Sequence, residues 1–236
     1  MNKDQAHIQE RNNTLIISYL TLRRVIGLIG ILLPATLITG TFLVGKCGQI
    51  QYSVSHYYYT MMGDVFVGAI CAISLFLITY RGYKDEHWYH RDSIFTTIAG
   101  IAVLGVAFFP TSKNEDIECG KRIVEEQPWR ETAHYVSAAI FFVMLAYISL
   151  VLFTRSDHKK RAYMPRKKKS RNNIYIGCGI TILVAICLIF FLGRAKGDTE
   201  QWVTANHIVF WLEWVGLAAF GTSWLVKGEL ILKDNE

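Results

Sequence analysis

The sequence predicts an all-α protein: a polytopic membrane helix bundle with six transmembrane helices and cytoplasmic N and C termini. Three observations predict it. Hydrophobic residues make up 52% of the 236-residue chain, and its mean hydropathy is +0.25. Apolar runs recur over about residues 25–44, 59–80, 93–110, 133–153, 174–192 and 203–226. Each approaches or exceeds the ~20 residues a helix needs to cross the hydrocarbon of a bilayer. The Lys and Arg residues lie mostly on alternate connections between these runs. The runs and their short connections use nearly the whole chain, so residues 1–236 read as one transmembrane domain.

The first run is too long for a signal core, and no small-x-small cleavage pattern follows it, so it reads as a retained helix. Residues 14–22 before it are mildly amphipathic and suit the cytoplasmic interface, with Arg23 and Arg24 anchoring the helix start. Pro34 removes a backbone donor within it and predicts a kink. The third run is the weakest, at 16 residues from Ile94 to Phe109; it reaches a spanning length once Ser93 and Pro110 are counted. Small residues are frequent in the third run (Ala99, Gly100, Ala102, Gly105, Ala107) and in the sixth (Gly216, Ala218, Ala219, Gly221, Thr222). In lipid, small side chains let helix backbones approach and gain dispersion energy. These two helices are therefore expected inside the bundle. Ile186, Leu188, Ile189, Phe190 and Phe191 give the end of the fifth run a bulkier, lipid-facing character.

A net charge of +6 could suggest a nucleic-acid partner. The basic residues instead flank apolar spans, where they set topology. The N-terminal stretch, the second and fourth connections and the tail carry 18 of the 25 Lys and Arg. The first, third and fifth connections carry the other seven, together with eight carboxylates. The positive-inside rule then places both termini in the cytoplasm, consistent with an even number of spans. A bacterial inner membrane is the expected location. The run Arg166, Lys167, Lys168 and Lys169 is expected on a solvated loop as a topology determinant. It can also attract anionic head groups of membrane lipids, worth roughly 1 kcal/mol per basic residue. No nucleic-acid partner is expected.

Cys71, Cys178 and Cys187 lie inside apolar runs, where cysteine acts as a small hydrophobe. Cys47 and Cys119 fall on connections expected outside. There an oxidising environment can join them, and two unrelated thiols are the alternative.

The strongest single signal for a site is Glu213. Counted from Val203, it is about 15 Å into the sixth helix. A carboxyl group at that depth must be neutral, paired or facing a wet cavity. Asp64 begins the second helix, where complementing the helix dipole explains it equally well. It follows the hydroxyl-rich stretch Tyr52–Tyr59, which contains His56. His134 opens the fourth helix, with Ser137 on its face, and Asn206 and His207 open the sixth. His56, Asp64, His134, His207 and Glu213 all map to the outer half of the membrane. Glu213, His134 and Asp64 are the leading candidates for a catalytic or binding role, with His56, His207, Ser137 and Asn206 behind them. Imidazole and carboxylate suit zinc, so His134, Asp64 and His56 are the candidate metal ligands. A proton relay or purely structural roles are the alternatives. No HExxH, CxxC pair, GxSxG or phosphate loop selects an enzyme class.

Two segments carry a resemblance. The third helix closes in Gly105-Val106-Ala107-Phe108-Phe109-Pro110-Thr111, and the fourth opens in His134-Tyr135-Val136-Ser137-Ala138. A Gly-x-x-x-Phe-Pro helix end, an outer loop and then His-x-x-x-Ala resembles a group of six-helix bacterial membrane proteins carried as a domain of unknown function. That group is similar in layout to the Frag/DRAM/Sfk-like family. The resemblance implies a six-helix bundle and no activity.

Three functions follow as expectations. One is a membrane-embedded metal-dependent hydrolase acting on a lipid. Another is an accessory or scaffold protein working through its loops. The third is a small permease, which the inner half of the bundle supports poorly: it offers hydroxyls such as Ser74, Thr96 and Ser149 but no charge. The reading that precedes all three is a membrane protein of unassigned activity with a polar pocket near the outer leaflet.

Overall fold

Away from water, a backbone must satisfy its own amides and carbonyls, and long apolar runs do so as helices. The computed structural model describes residues 14–45, 47–82, 92–111, 127–155 and 166–232, with side chains from Tyr19 onward. It contains α1 (Thr14–Leu43), α2 (Gly63–Thr79), α3 (Asp92–Phe108), α4 (Pro128–Tyr147), α5 (Arg166–Leu192), α6 (Asp198–Ala205) and α7 (Ile208–Lys227). A short 3-10 helix, Ser55–Tyr59, precedes α2. No strand occurs among the described residues. Four segments are long and apolar enough to cross a membrane: Tyr19–Leu43, Pro128–Leu152, Arg166–Leu192 and Ile208–Lys227. The apolar helices α2 and α3 have 17 residues each, about 25 Å of helix.

Each helix packs on its sequence neighbour from α1 to α5, and α7 fills the place between α5 and α1. The result is a closed ring of six helices in chain order. Of the four long apolar segments, α7 is the most buried and α5 the least. Phe190 and Phe191 of α5 are exposed, as their bulk suggested. The ring closes because α1 and α7 touch through bare backbone. A Cβ on Gly27 would stand 2.8 Å from the Gly221 carbonyl oxygen, and one on Gly221 would stand 2.4 Å from the Gly27 oxygen. The α2–α3 seam is similarly close: Ser74 Oγ donates to the Gly100 carbonyl at 2.7 Å.

Two boundaries differ from expectation, those that open α5 and the sixth span, while α1 runs unbroken through Pro34. α4 widens into a π turn over Ile148–Leu152, closed by the Phe153 amide donating to Ile148 O at 2.9 Å. α5 begins at Arg166, so the basic run forms its first turn and not a loop. The sixth span does not begin at Val203. α6 ends at Ala205, and His207 turns the chain with φ 51° before α7 starts. His is among the few non-glycine residues that tolerate this left-handed conformation.

Chain direction gives the ring two ends. The loop end holds the close of α1, the 47–62 segment and the starts of α2, α4 and α7. The basic end holds the start of α1, the close of α7 and residues 153–155.

Candidate polar site at the loop end

The segment from Cys47 to Met62 packs back onto the ring through its buried residues Val54, Tyr57 and Tyr59. Its local fold follows from one serine. Ser53 Oγ accepts the His56 amide at 3.2 Å and lies 2.6 Å from His56 Nδ1. This turns the chain into the 3-10 helix. The first amides of such a helix have no acceptor within it, and Glu213 provides one. The Val54 N–H donates to Glu213 Oε2 at 2.6 Å, and the Ser55 amide acts on the same carboxylate. With α7 starting after His207, Glu213 is about 9 Å along the helix, not 15. Glu213 is partly exposed as a residue, and its carboxylate is held on these two amides.

Aromatic groups complete the cluster. Tyr52 meets the His56 ring edge-on at 5.5 Å. Burial, then the negative charges of Glu213 and Glu200, push the Tyr52 hydroxyl above its ordinary pKa. Tyr57 packs against Phe210 of α7 with ring centres 5.9 Å apart. Tyr59 donates through its hydroxyl to the Thr111 carbonyl. Thr111 Oγ1 is 3.4 Å from the Tyr135 hydroxyl, which donates to Glu131 at 3.1 Å.

The residues singled out from sequence thus fall in different places. Glu213 and His56 both engage the 47–62 segment. His134 is buried at the α3–α4 join, where Nδ1–H donates to the Phe109 carbonyl at 2.8 Å. That carbonyl belongs to the end of α3, where helix acceptors lack internal donors. Ser137 packs where Gly105 leaves room, since a Cβ there would overlap its hydroxyl. Asp64 is exposed in the first turn of α2, a favourable position for a negative charge. Asn206 closes α6 by donating to Trp202 O at 2.8 Å, and His207 forms the α6–α7 hinge. Among the described residues, no three His, Cys, Asp or Glu side chains are grouped to hold a metal ion. Cys47 is buried and disulfide-bonded, whereas Cys71, Cys178 and Cys187 are free. Cys119 lies outside the described residues. Ser53, Tyr52, Thr111 and Tyr135 were not singled out from sequence. The hydroxyl-rich stretch was the only signal for the first two.

No protein-family model matches the chain, and no significant match was found among curated proteins or solved structures.

The cap makes a direct prediction. Glu213→Ala leaves the enclosed Val54 amide without its acceptor, at an expected cost of about 1–3 kcal/mol. Glu213→Gln keeps a carbonyl acceptor and should cost less than half as much. Thermal unfolding in detergent measures the difference, and limited proteolysis should cut the 47–62 segment faster in the alanine variant. Equal stability of both variants and wild type would remove the cap from the account.

Proposed function

We propose that this chain is a multi-pass protein of a bacterial inner membrane, with six spans and cytoplasmic termini. Its loop-end cluster docks the polar part of a ligand arriving from the outer leaflet. Alternating basic connections support the orientation. The ring supports six spans, because α2 and α3 stand within it as neighbours of the longer helices. The layout of the Frag/DRAM/Sfk-like group is consistent with the same bundle. The docking reading is carried by the Glu213 carboxylate held on the Val54 amide, beside Tyr52. Ionisable groups held at membrane depth are costly and tend to be functional. A bond between Cys47 and Cys119, the two cysteines expected outside, would tie the α1–α2 connection to the α3–α4 connection.

A zinc-dependent lipid hydrolase is less well supported, since His56, His134 and Asp64 occupy three separate settings. A metal-free hydrolase has one observation in its favour: the 2.6 Å separation of Ser53 Oγ and His56 Nδ1 is that of a nucleophile and its base. Docking is preferred because the same Oγ already accepts the His56 amide and so shapes the turn.

Topology is tested with reporter fusions. An alkaline phosphatase fused after residue 120 should be active, and a fluorescent protein at the C terminus should fold in the cytosol. The opposite pattern would invert the placement. Docking is tested in maltoside micelles by titrating short-chain phosphatidylethanolamine and reading the fluorescence of Trp211 and Trp214, which flank Glu213 in sequence and stack on each other with ring centres 5.5 Å apart. A saturable change that Glu213→Gln weakens at least fivefold supports docking. Release of fatty acid abolished by Ser53→Ala would move the assignment to hydrolysis. No saturable change and no release would overturn both.

A further inference from the structure

The outward face of the ring is not equally tall all the way round, and α2 is its low point at the loop end. Asp64 is exposed in the first turn of α2. Two residues earlier, the Met62 side chain lies over Gly40 of α1, where a Cβ would overlap it. That contact sets the level of α2 against α1. Beyond Gly40, α1 goes on to expose Phe42, Leu43 and Val44. Leu43 therefore stands roughly 7 Å farther toward the loop end than Asp64. On the other flank, the bond from Ser74 Oγ to the Gly100 carbonyl sets α2 against α3. Asp64 is ten residues above Ser74, and Phe108, the exposed last residue of α3, is eight above Gly100. The apolar face of α3 thus ends no higher than Asp64.

At the basic end α2 stops at Thr79, Tyr80 is extended and Arg81 is exposed. Between Asp64 and Arg81 the outward residues are Val65, Gly68, Ala72, Leu75 and Thr79. The Thr79 hydroxyl donates to the Leu75 carbonyl at 2.8 Å and so needs no water. Residues 65–79 make about 22 Å of helix, short of the ~30 Å hydrocarbon core of a bilayer. α5 stands across the ring from α2. Its apolar residues 174–192 give about 28 Å. The two limits of the α2 face are unlike. Arg81 has a long stem that can carry its charge outward to water, whereas aspartate has no such reach. The misfit therefore falls on the Asp64 side. Complementing the helix dipole accounts for a carboxylate in the first turn, but not for its place below the exposed apolar end of α1.

We propose that the α2–α3 side is a lipid-facing surface fitted to phospholipids with short acyl chains, against which the outer leaflet thins until its head groups reach Asp64. The inference rests on the six-span reading and not on ligand docking at Glu213. A bilayer meets a short span by thinning around it, at a modest cost per ångström of mismatch. Leaving a carboxylate in hydrocarbon costs more. Short chains remove the mismatch at α2 without stretching the lipid, while α5 on the far side accommodates a thicker bilayer. Head groups drawn inward at α2 also come level with the end of the 47–62 segment.

The test reconstitutes the full chain in phosphatidylcholine vesicles with monounsaturated chains of fourteen to twenty-two carbons. Thermal unfolding is followed by tryptophan fluorescence. Wild type should be most stable at sixteen carbons or fewer. Asp64→Leu joins the exposed Met61 to the apolar face, lengthening it by about one turn, so its optimum should move at least two carbons longer. Asp64→Asn stays polar and should leave the optimum in place, whatever it does to absolute stability. A wild-type optimum at eighteen carbons or more, no dependence on chain length, or an unmoved optimum in Asp64→Leu would overturn the proposal. Labelling with a membrane-impermeant maleimide in spheroplasts tells this failure from that of the six-span reading. Lys196→Cys, at the loop end, should react at once, and Arg81→Cys only after the membrane is permeabilised. Equal labelling of both before permeabilisation would overturn the two readings together, because α2 would not cross the membrane.

Discussion

Gly221→Val is expected to destabilise the bundle by about 3 kcal/mol, at the upper end of the usual cost of overpacking. The reason is what the new side chain meets. Its Cβ would be 2.4 Å from the Gly27 carbonyl oxygen and 2.6 Å from Ile31 Cγ1. A side chain can rotate away from an intruder, but the backbone of α1 yields only by moving as a unit. Separating α1 from α7 would also loosen the contact of Gly30 with Phe220 and the bond from Trp214 Nε1 to the Ile31 carbonyl, now 3.0 Å. That seam closes the ring, so its loss exposes both neighbours. Gly68→Ala is the matched control. Gly68 lies within α2, and a Cβ there meets nothing within 4 Å. Alanine is favoured over glycine inside a helix by up to about 1 kcal/mol, so this change should leave stability equal or slightly raised. Thermal or SDS unfolding of the purified protein gives both values. If Gly221→Val unfolded with wild type, the close approach of α1 and α7 would be wrong.

The helices were legible because apolar length is a property of composition, and composition survives without knowledge of neighbours. Small residues likewise pointed to α7, and Gly221 does lie at a backbone contact. The ends of the helices were not legible in the same way. The extra turns of α5 over Arg166–Lys169 are polar, so hydropathy stopped short of them. The break at His207 depends on a single φ value that no periodicity records. The site was legible in part. Glu213 stood out because a carboxylate among Trp and Leu is costly wherever it faces. Its partner is a backbone amide of Val54, 159 residues away in sequence, and amides are the same at every position. His134 stood out too, yet it is satisfied by the Phe109 carbonyl, another backbone group. Depth along a helix can be counted from sequence, whereas the direction in which a side chain points around the bundle requires the ring order.

Asp92 shows the converse, a residue that sequence reading passed over and packing makes critical. It stands at the start of α3, where a boundary acid is unremarked, yet its side chain is 1% exposed and pairs with Arg155, whose side chain is 23% exposed. Its place is shaped by Gly82, whose φ of 42° brings bare backbone against the carboxylate. Removing one member of a fully buried pair costs about 3–5 kcal/mol because the other is left enclosed without its counter-charge. Solvent reaches the arginine, so the expected cost of Asp92→Asn is lower, about 2 kcal/mol. Arg155→Gln should cost a similar amount, since it removes the charge that pairs directly with the more deeply enclosed member. The double variant Asp92→Asn/Arg155→Gln should recover part of the loss, because two neutral amides can hydrogen-bond with no charge to bury. A double-mutant cycle by chemical unfolding isolates the coupling, expected at about 1–2 kcal/mol. Strictly additive losses would mean that Asp92 and Arg155 act separately. The α3–α4 seam would then owe its stability at the basic end to apolar packing such as Phe95 on Tyr147, with ring centres 4.3 Å apart.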